Sequence, residues 1–296
     1  MVLTGAYAVL RGAPALVVAV SRGAIVASGT QAPASREVVA ALGTANAPAA
    51  DASELFDGDR KLGLGASAAV LVATLGVLAA ERGDDLARSD VRHAIFTRAR
   101  AAHAQAQQGG SGIDVAASVY GGTLSYRLEG DGAIVGPRPL PEGVTFAAYA
   151  SQTFARTSDL RERVDALRSR DPELDARLFA SLSTASRSAH DACMANDAAG
   201  FLASARAFGK ALDALGLAAN APIVSSADAE LARLAEASGG AFFPSGAGGG
   251  DVSVRLFSRA SPTTEDFNDA ARRAGMVPLG IVEDPDGVRI LTSLPD

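Results

Sequence analysis

Lysine, tryptophan and cysteine are scarce or missing in this chain of 296 residues. The chain has no tryptophan, a single cysteine, Cys193, and only two lysines, Lys61 and Lys210, so arginine carries nearly all of the positive charge. One cysteine excludes an internal disulfide, which is typical of a reducing compartment, and we therefore expect a cytoplasmic protein. The scarcity of lysine also lets each one be considered separately as a candidate site residue.

Long apolar runs and basic segments are absent as well. No run of about 18 apolar residues is free of charge and glycine, so a membrane-spanning helix is not expected. The first residues lack a basic leader and a clear cleavage site, which argues against a signal peptide. A net charge of −6 without a basic stripe gives no support to nucleic-acid binding. We expect a protein without membrane or nucleic-acid partners, either a monomer or a homodimer.

The pattern of apolar residues predicts an α+β fold in two domains. Helical periodicity is found at 66–82, 90–107 and 157–238. Apolar runs bounded by turn residues predict strands at 15–20, 123–128, 144–150 and 252–257. Strands and helices do not alternate as a repeating unit, which favours α+β over α/β. Residues 30–60, rich in alanine, proline and aspartate, predict a loop or short helices. The helical character that follows residue 150 places a boundary there, giving domains 1–150 and 151–296.

A glycine-rich turn enters an apolar helix at residues 61–69, KLGLGASAA. Its spacing formally matches the dinucleotide fingerprint G-x-G-x-x-A, but no buried strand precedes it and no second strand ends in an acid about 20 residues later. Unpaired N–H groups at a helix N-terminus bind anions, and Gly63 and Gly65 let the backbone approach a phosphate. Ser67 adds a hydroxyl that can meet phosphate or Mg²⁺. From these residues alone, a phosphate site and a plain helix start both stay open.

Two further glycine loops follow. Asp114 comes directly after the segment GGSGI, and an aspartate among small residues can act as a base, a metal ligand or an electrostatic anchor, or can simply cap a helix. The loop Pro244–Asp251 has four glycines in five positions. Because so much glycine costs backbone entropy, a nest of backbone N–H groups around an anion explains this loop better than a simple turn does.

The three loops, with their order and spacing, resemble those of the GHMP kinases, the family of galactose, homoserine, mevalonate and phosphomevalonate kinases. Gly63–Ala69 resembles the family motif Gly-Leu-Gly-Ser-Ser-Ala-Ala, with Ala66 in place of the first serine. Pro244–Asp251 resembles the family's C-terminal glycine-rich motif. Within the family, Ser111–Gly122 and Pro244–Asp251 look most like the corresponding stretches of phosphomevalonate kinases.

The resemblance implies a fold of two α+β lobes, an N-terminal ribosomal-protein-S5-like lobe that binds nucleotide and a C-terminal ferredoxin-like lobe. It also implies ATP and Mg²⁺ as cofactors and a small-molecule acceptor. The ATP phosphates would lie over the helix start, on Leu62, Gly63, Leu64, Gly65, Ala66, Ser67 and Ala68. Ser67 would also hold Mg²⁺, and Asp114 takes the position of the family's catalytic aspartate. The acceptor would be lined by Ser111, Gly112, Ser245, Gly246, Ala247, Gly248 and Gly249.

The sequence departs from the family pattern where a cation is expected. Relatives usually carry an Ala-Pro-Gly-Lys stretch before the first strand, whereas this sequence begins Met-Val-Leu-Thr-Gly. Phosphoryl transfer needs cations, so Lys61, directly before the phosphate-binding turn, is the candidate catalytic lysine. Lys210, in an ordinary amphipathic helix, is expected to be solvated. Some relatives have a glutamate ligand one helical stretch before the catalytic aspartate, and its nearest equivalent here is His103.

We therefore expect an ATP-dependent kinase that phosphorylates 5-phosphomevalonate to 5-diphosphomevalonate in the mevalonate route to isoprenoids. A mevalonate kinase, or another family member acting on an alcohol, is the nearest alternative. The missing lysine motif leaves a third hypothesis, a family member that binds nucleotide without turnover. A phosphate acceptor is already ionised near neutral pH, since its second pKa is about 6, and Asp114 would then orient a cation or water instead of removing a proton.

Overall fold

The protein is described by a computed structural model that covers residues 1–151, 157–261 and 264–291. Its helices are α1 (Arg36–Leu42), α2 (Ala66–Glu81), α3 (Ser89–Ala106), α4 (Ile113–Tyr120), α5 (Thr157–Arg170), α6 (Pro172–Met194), α7 (Ala198–Ala219), α8 (Ser226–Ala237) and α9 (Thr264–Arg273). Its strands are β1 (Val2–Thr4), β2 (Ala15–Val18), β3 (Ile25–Pro33), β4 (Asn46–Asp51), β5 (Phe56–Asp57), β6 (Arg60–Lys61), β7 (Thr123–Glu129), β8 (Gly132–Pro137), β9 (Val144–Ser151), β10 (Ala241–Pro244), β11 (Val252–Ser258) and β12 (Met276–Pro278). The mixture of helices and antiparallel sheets is the predicted α+β class.

Contacts divide the chain into two compact units, each made of separate stretches. The first contains Met1, Val18–Leu124 and the segment from Glu283 onward, and the second contains Val2–Val17 and Ser125–Val282. The N-terminal strand therefore belongs with the later part of the chain. The domain boundary near residue 150 stays a prediction.

The first unit is built around α2, which is apolar on nearly every side, as the sequence predicted. Its buried residues include Leu71, Val72 and Leu75, each 5% exposed or less. Burying side chains of this size contributes roughly 1.5–3 kcal/mol each. The neighbours of α2 are α1, α3, α4, β3 and β4. The start of α2 is thus fixed in place by the packing of the whole helix.

Residues 30–60 contain the predicted short helix, α1, together with strands that were not predicted there. Strands β3 and β4 form an antiparallel ribbon, with Gln31 opposite Pro48 and Pro33 opposite Asn46, and the short α1 lies between them. Most of β3 is exposed on both faces. A strand that buries neither face shows no alternation of apolar and polar residues, which is why residues 30–33 of β3 were predicted as part of a loop.

The second unit contains two four-stranded sheets. One has the order β1-β2-β7-β8, of which only the end residues Val18 and Thr123–Leu124 fall outside this unit. The other has the order β10-β11-β9-β12 with antiparallel pairing throughout. A cluster of buried side chains joins this second sheet to α8 and α9, and its large members are Tyr149, Leu231, Phe242, Phe267 and Met276. The hairpin of β10 and β11 carries the third glycine loop at its turn.

Membrane-spanning helices and metal-binding clusters are both absent from the part of the chain that the structure describes. Among its residues, no helix is both long enough and apolar enough to cross a membrane. The same residues hold no group of three or more His, Cys, Asp or Glu side chains placed to bind a metal ion.

Arg255, at the centre of β11, is a fully buried cation. Its guanidinium lies between the rings of Phe257 and Phe267, 4.4 Å and 4.0 Å from their centroids. Within the described ranges, none of its three nitrogens has an acceptor at the distance and angle of a full hydrogen bond, although the Tyr149 phenol is close enough to interact with the guanidinium. Burial lowers the pKa of Arg255, and the neighbouring Tyr149 phenol only partly offsets this. The aromatic contacts therefore compensate a desolvation cost that hydrogen bonds leave unmet.

The substitution Arg255→Met should raise the free energy of unfolding by about 1 kcal/mol, because it removes a buried, unpaired charge while keeping most of the side-chain volume. Denaturant unfolding of both proteins measures the difference.

Arg259→Met is the matched control, because Arg259 is exposed and its replacement should change stability by less than about 0.5 kcal/mol. A clear loss of stability in Arg255→Met alone would show that the guanidinium has a strong partner, and the description of Arg255 as unpaired would be wrong.

Candidate functional site

The start of α2 has the properties of an anion site. Its N-cap is Gly65, in the left-handed conformation at φ 83°, and no side chain caps the helix. The first turn contains no acidic residue. The first intrahelical bond is the one from Ala69 N–H to the Gly65 carbonyl, at 3.0 Å. The amides of Ala66, Ser67 and Ala68 precede it and face the positive end of the helix dipole.

The turn before α2 is anchored to the interior of the first unit by the buried side chain of Leu62. This side chain is 3% exposed, and its N–H donates to the Leu55 carbonyl at 3.0 Å. Gly63, exposed, follows at φ 74°. Leu62 thus anchors the turn, and Gly63 is the first residue of the predicted group that is open to solvent.

Lys61 lies on the short hairpin of β5 and β6, directly before this turn. It is exposed, and within the described part of the chain its ammonium forms no salt bridge. Its neighbour Arg60 pairs with Asp57 at 3.2 Å. Lys210, on α7, is also exposed, but its Nζ is 2.7 Å from a carboxylate oxygen of Glu236. Of the two lysines, Lys61 is the one whose charge is available to a ligand.

Asp114 lies beside the start of α2. A Cβ built on Gly65 would be 3.4 Å from the Asp114 Cβ and 4.0 Å from its Oδ2. Asp114 is the second residue of α4, its Oδ1 accepts from the Val115 N–H at 3.0 Å, and its side chain is 36% exposed. The first and second glycine motifs, about 50 residues apart in sequence, therefore converge in the first unit.

The alternative that Asp114 is the helix cap does not hold, because the cap of α4 is Gly112. Gly112 has φ 72°, and a Cβ there would be 2.6 Å from Cγ of Arg100. Both facts require glycine. Ser111 accepts a weak bond of 3.4 Å from the Ile113 N–H. Ser111 and Gly112 thus shape the entry into α4 and set the direction in which Asp114 points.

His103, predicted from the sequence as the nearest equivalent of the family's glutamate ligand, lies near this site, whereas Gln107 and Glu37 were not predicted to do so. The imidazole is 4% exposed, in the last turn of α3, and its Nε2 is 3.5 Å from Asp114 Oδ2. Gln107 lies 3.0 Å from the same nitrogen and 3.4 Å from a carboxylate oxygen of Glu37. The spacing of 11 residues to Asp114, at the end of a helix, was a usable signal for His103, whereas Glu37 lies 70 residues from Gln107 and gave none.

Glu37 is charged within this cluster. Burial acts to raise its pKa, but hydrogen bonds from its own backbone, Gln107 and Ser35, with the nearby His103, lower it overall. The carboxylate is 6% exposed. The Gln107 amide therefore donates to a buried, negatively charged carboxylate, that of Glu37.

The third glycine loop, residues 245–249, is fixed by bonds to the N-terminal segment of the same unit. The Ser245 hydroxyl donates to the Val2 carbonyl at 2.9 Å, and the Tyr7 hydroxyl donates to the Ala247 carbonyl at 2.7 Å. Burial raises the pKa of the Tyr7 phenol, with smaller and opposing influences from Arg161 and Asp165. Tyr7 therefore stays protonated and keeps donating.

Glycine is required at several positions of this loop. Gly246, Gly248 and Gly249 have φ values of 81°, 78° and 82°. A Cβ on Gly248 would be 2.4 Å from the carbonyl oxygen of Ile223, and the Gly249 N–H donates to that same carbonyl at 3.0 Å. The loop therefore has one defined backbone shape, which side chains on these residues would disturb.

Comparison with known proteins agrees with this geometry. A family model described as "GHMP kinases N terminal domain" matches residues 56–122, which hold Lys61, the start of α2 and Asp114. Phosphomevalonate kinase of Streptomyces sp. (strain CL190) is 30% identical over 265 residues, which cover 80% of this chain and 68% of that protein. The chain belongs to the GHMP kinase family.

Solved structures show that the GHMP kinase fold extends over nearly the whole chain. The Lin0012 protein from Listeria innocua has a TM-score of 0.81 at 21% identity, with 95% of both chains covered. Streptococcus pneumoniae phosphomevalonate kinase, solved in complex with phosphomevalonate and AMPPNP, has a TM-score of 0.77 at 16% identity, with 95% of this chain and 97% of that chain covered. At these identities the likeness concerns the fold, which confirms the predicted α+β GHMP class.

Proposed function

We propose that this GHMP kinase transfers the terminal phosphoryl group of ATP to 5-phosphomevalonate, giving 5-diphosphomevalonate. The observation that carries the proposal is the position of the Asp114 carboxylate against Gly65, at the start of a long helix with no side-chain cap. A phosphate-binding backbone and a half-exposed carboxylate then lie in one place. Phosphoryl transfer is catalysed mainly by such positioning and by electrostatic stabilisation.

The nucleotide phosphates would bind at the start of α2. The amides of Ala66, Ser67 and Ala68 would donate to phosphate oxygens, and the absence of an acid from the first turn avoids repulsion there. The Ser67 hydroxyl and the Asp114 carboxylate are oxygen ligands of the kind that Mg²⁺ takes when it binds together with phosphates. Mg²⁺, when bound, would neutralise charge that builds up on the transferring group.

Lys61 would supply a protein cation at the same place. The carboxylate of Asp114 and the incoming phosphates are both negative, so their approach is unfavourable unless positive charge lies between or beside them. Lys61 is exposed and forms no salt bridge within the described ranges, and it directly precedes the turn. We assign Lys61 to the stabilisation of phosphate charge.

Asp114 would act according to the acceptor. A phosphate monoester acceptor has a second pKa of about 6, so its attacking oxygen is already ionised near neutral pH. Asp114 would then orient a cation or a water molecule. The alcohol of mevalonate would instead have to give up its proton, and Asp114 would be the base. The phosphate acceptor is favoured because the Streptomyces relative of 30% identity is a phosphomevalonate kinase.

Within the second unit, the proposed acceptor-binding residues are those of the loop, Ser245, Gly246, Ala247, Gly248 and Gly249. The loop's backbone is fixed by Tyr7 and Val2, so its N–H groups do not need to be ordered when an anion binds. A rigid binding loop loses less entropy on binding than a flexible one does.

Purified protein with Mg-ATP should release ADP with phosphomevalonate and not with mevalonate, homoserine or galactose. The Asp114→Asn variant should lose at least about 100-fold of this rate, because the carboxylate is removed while the shape is kept. A coupled ADP assay measures turnover, and calorimetric titration with the analogue AMPPNP should show binding within about threefold of the wild type.

Asp131→Asn, in the exposed turn between β7 and β8, is the matched control and should keep full activity. ADP release with mevalonate alone would assign the enzyme to the alcohol kinases. Tight nucleotide binding without ADP release for any acceptor would mean a nucleotide-binding protein without turnover, and the proposed phosphotransferase activity would be wrong.

Lys61→Met should lower kcat/KM for ATP by about 10- to 100-fold, since a hydrogen bond from an ammonium to phosphate contributes roughly 1.5–3 kcal/mol. The same ADP assay measures it, and Lys61→Arg should retain part of the activity because it keeps the charge.

The comparison variant is Lys210→Met, which breaks only the exposed pair with Glu236 and should change the rate by less than about twofold. A larger effect at Lys210 than at Lys61 would reverse the assignment of the two lysines.

A further inference from the structure

The two ends of the third glycine loop are held by backbone bonds. The Ser245 N–H donates at 2.8 Å, and the Gly249 N–H at 3.0 Å, to carbonyls outside the loop. Between these two bonds, the described part of the chain offers residues 246–248 a single hydrogen bond, from the Tyr7 hydroxyl to the Ala247 carbonyl at 2.7 Å. The peptide group that contains this carbonyl therefore depends on Tyr7 for its orientation.

This peptide, between Ala247 and Gly248, has two orientations open to it. Turning a peptide plane by half a turn changes φ of the residue that follows, and glycine adopts positive and negative φ about equally well. Gly248 has φ 78°. The conformational preference of the chain itself thus does not decide which way the plane faces.

The two orientations would act on an anion in opposite ways. In a planar trans peptide the carbonyl oxygen and the N–H lie on opposite edges. Tyr7, whose side chain is 7% exposed, holds the Ala247 oxygen toward the protein interior, and the Gly248 N–H on the other edge has no acceptor within the described ranges. The reverse orientation would replace this free donor by a carbonyl oxygen, which repels an anion.

Tyr7 lies in a strained turn. Its φ of 61° and ψ of −50° are those of a γ-turn with positive φ, and the Ala8 N–H closes the turn by donating to the Ala6 carbonyl at 2.7 Å. This conformation is rare for a residue with a large side chain, and such strain persists only where the surrounding structure fixes it. A strained position of this kind points to a function for the side chain that it places.

The segment that carries Tyr7 is fixed by its surroundings. Residues 6–9 are all buried. Just after them, the Arg11 guanidinium makes two bonds to the Asp175 carboxylate, at 2.6 Å and 2.9 Å, and lies 3.2 Å from the centroid of the Phe179 ring. The phenol is therefore held in one place, from which its hydroxyl reaches the loop.

We propose that Tyr7 is a positioning residue, whose hydroxyl holds the Ala247–Gly248 peptide in the orientation that binds the anionic acceptor. This inference rests on the proposed function, in which the loop holds phosphomevalonate. Without the hydroxyl the peptide would sample both orientations, and the apparent affinity for the acceptor would fall with the fraction of molecules in the binding orientation. Nucleotide binding at the start of α2, and transfer once the acceptor is bound, would not change.

The substitution Tyr7→Phe removes the hydroxyl and keeps the ring. KM for phosphomevalonate should rise about 3- to 10-fold, whereas kcat and KM for ATP should stay within about twofold. A coupled ADP assay at varied acceptor and varied ATP measures the three constants.

Tyr149→Phe is the matched control. It also removes a hydrogen bond of a buried tyrosine in the same unit, the 2.8 Å bond to Asn268, but one that does not involve the loop. All three constants should stay within about twofold of the wild type.

A second measurement does not need turnover. Alanine labelled with ¹³C at the carbonyl and glycine labelled with ¹⁵N select the Ala-Gly peptides, of which the sequence has three, at 199–200, 247–248 and 274–275. The signal of 247–248 is assigned by its loss in Ala247→Ser. Tyr7→Phe should move this signal or split it in two and leave the other two in place, whereas Tyr149→Phe should leave the 247–248 signal unchanged.

The outcomes separate the two proposals. If the wild type transfers phosphate and Tyr7→Phe has an unchanged KM for phosphomevalonate, or changes kcat and both KM values equally, the positioning role is wrong. The same holds if Tyr149→Phe raises the acceptor KM as much, or if the 247–248 signal does not change in Tyr7→Phe. If the wild type releases no ADP with any acceptor, the proposed function fails, and the signal alone decides whether Tyr7 holds this peptide.

Discussion

The arrangement depends on one contact, the approach of the Asp114 carboxylate to the glycine that opens α2. Gly65 is in the left-handed conformation at φ 83°, and Cβ and Oδ2 of Asp114 lie 3.4 Å and 4.0 Å from the position that a Cβ of Gly65 would take. The positive end of the helix dipole stabilises this anion, and the same end attracts phosphate. The two anions then compete for one region of positive potential, which explains why a cation, Lys61 or a bound Mg²⁺, is needed beside them.

At two of these positions, glycine allows the backbone to come into close contact with a neighbouring side chain or carbonyl group. Gly112 makes room for the Arg100 side chain and Gly248 for the Ile223 carbonyl. Both of these glycines, and Gly65, also have positive φ values that other residues adopt only at a cost. Each glycine loop is therefore rigid, despite its composition. The bonds from Tyr7 and Ser245 extend this rigidity to the loop that would receive the acceptor.

Features set by local chemistry were predictable from the sequence, and features set by distant contacts were not. The helix at 66–82 and the strands at 144–150 and 252–257 followed from continuous burial. The part of the β3–β4 ribbon within residues 30–60 was not predicted, because most of β3 is exposed and β4 buries only Ala47 and Pro48, which is too little for a periodic pattern. The convergence of Gly65 and Asp114 was available only through resemblance to a family. The Glu37–Gln107 contact and the buried Arg255 depend on tertiary packing, and no local pattern marks them.

The proposed function depends above all on the unpaired amides at the start of α2, which would bind the phosphates of ATP. A crystal structure of the protein with Mg²⁺ and AMPPNP would show where the phosphates lie. We expect the nucleotide's phosphate oxygens to accept hydrogen bonds from the amides of residues 66–68, with the terminal phosphate on the side of Asp114. Phosphates bound elsewhere, with these amides facing only water, would show that the start of α2 is not the phosphate site.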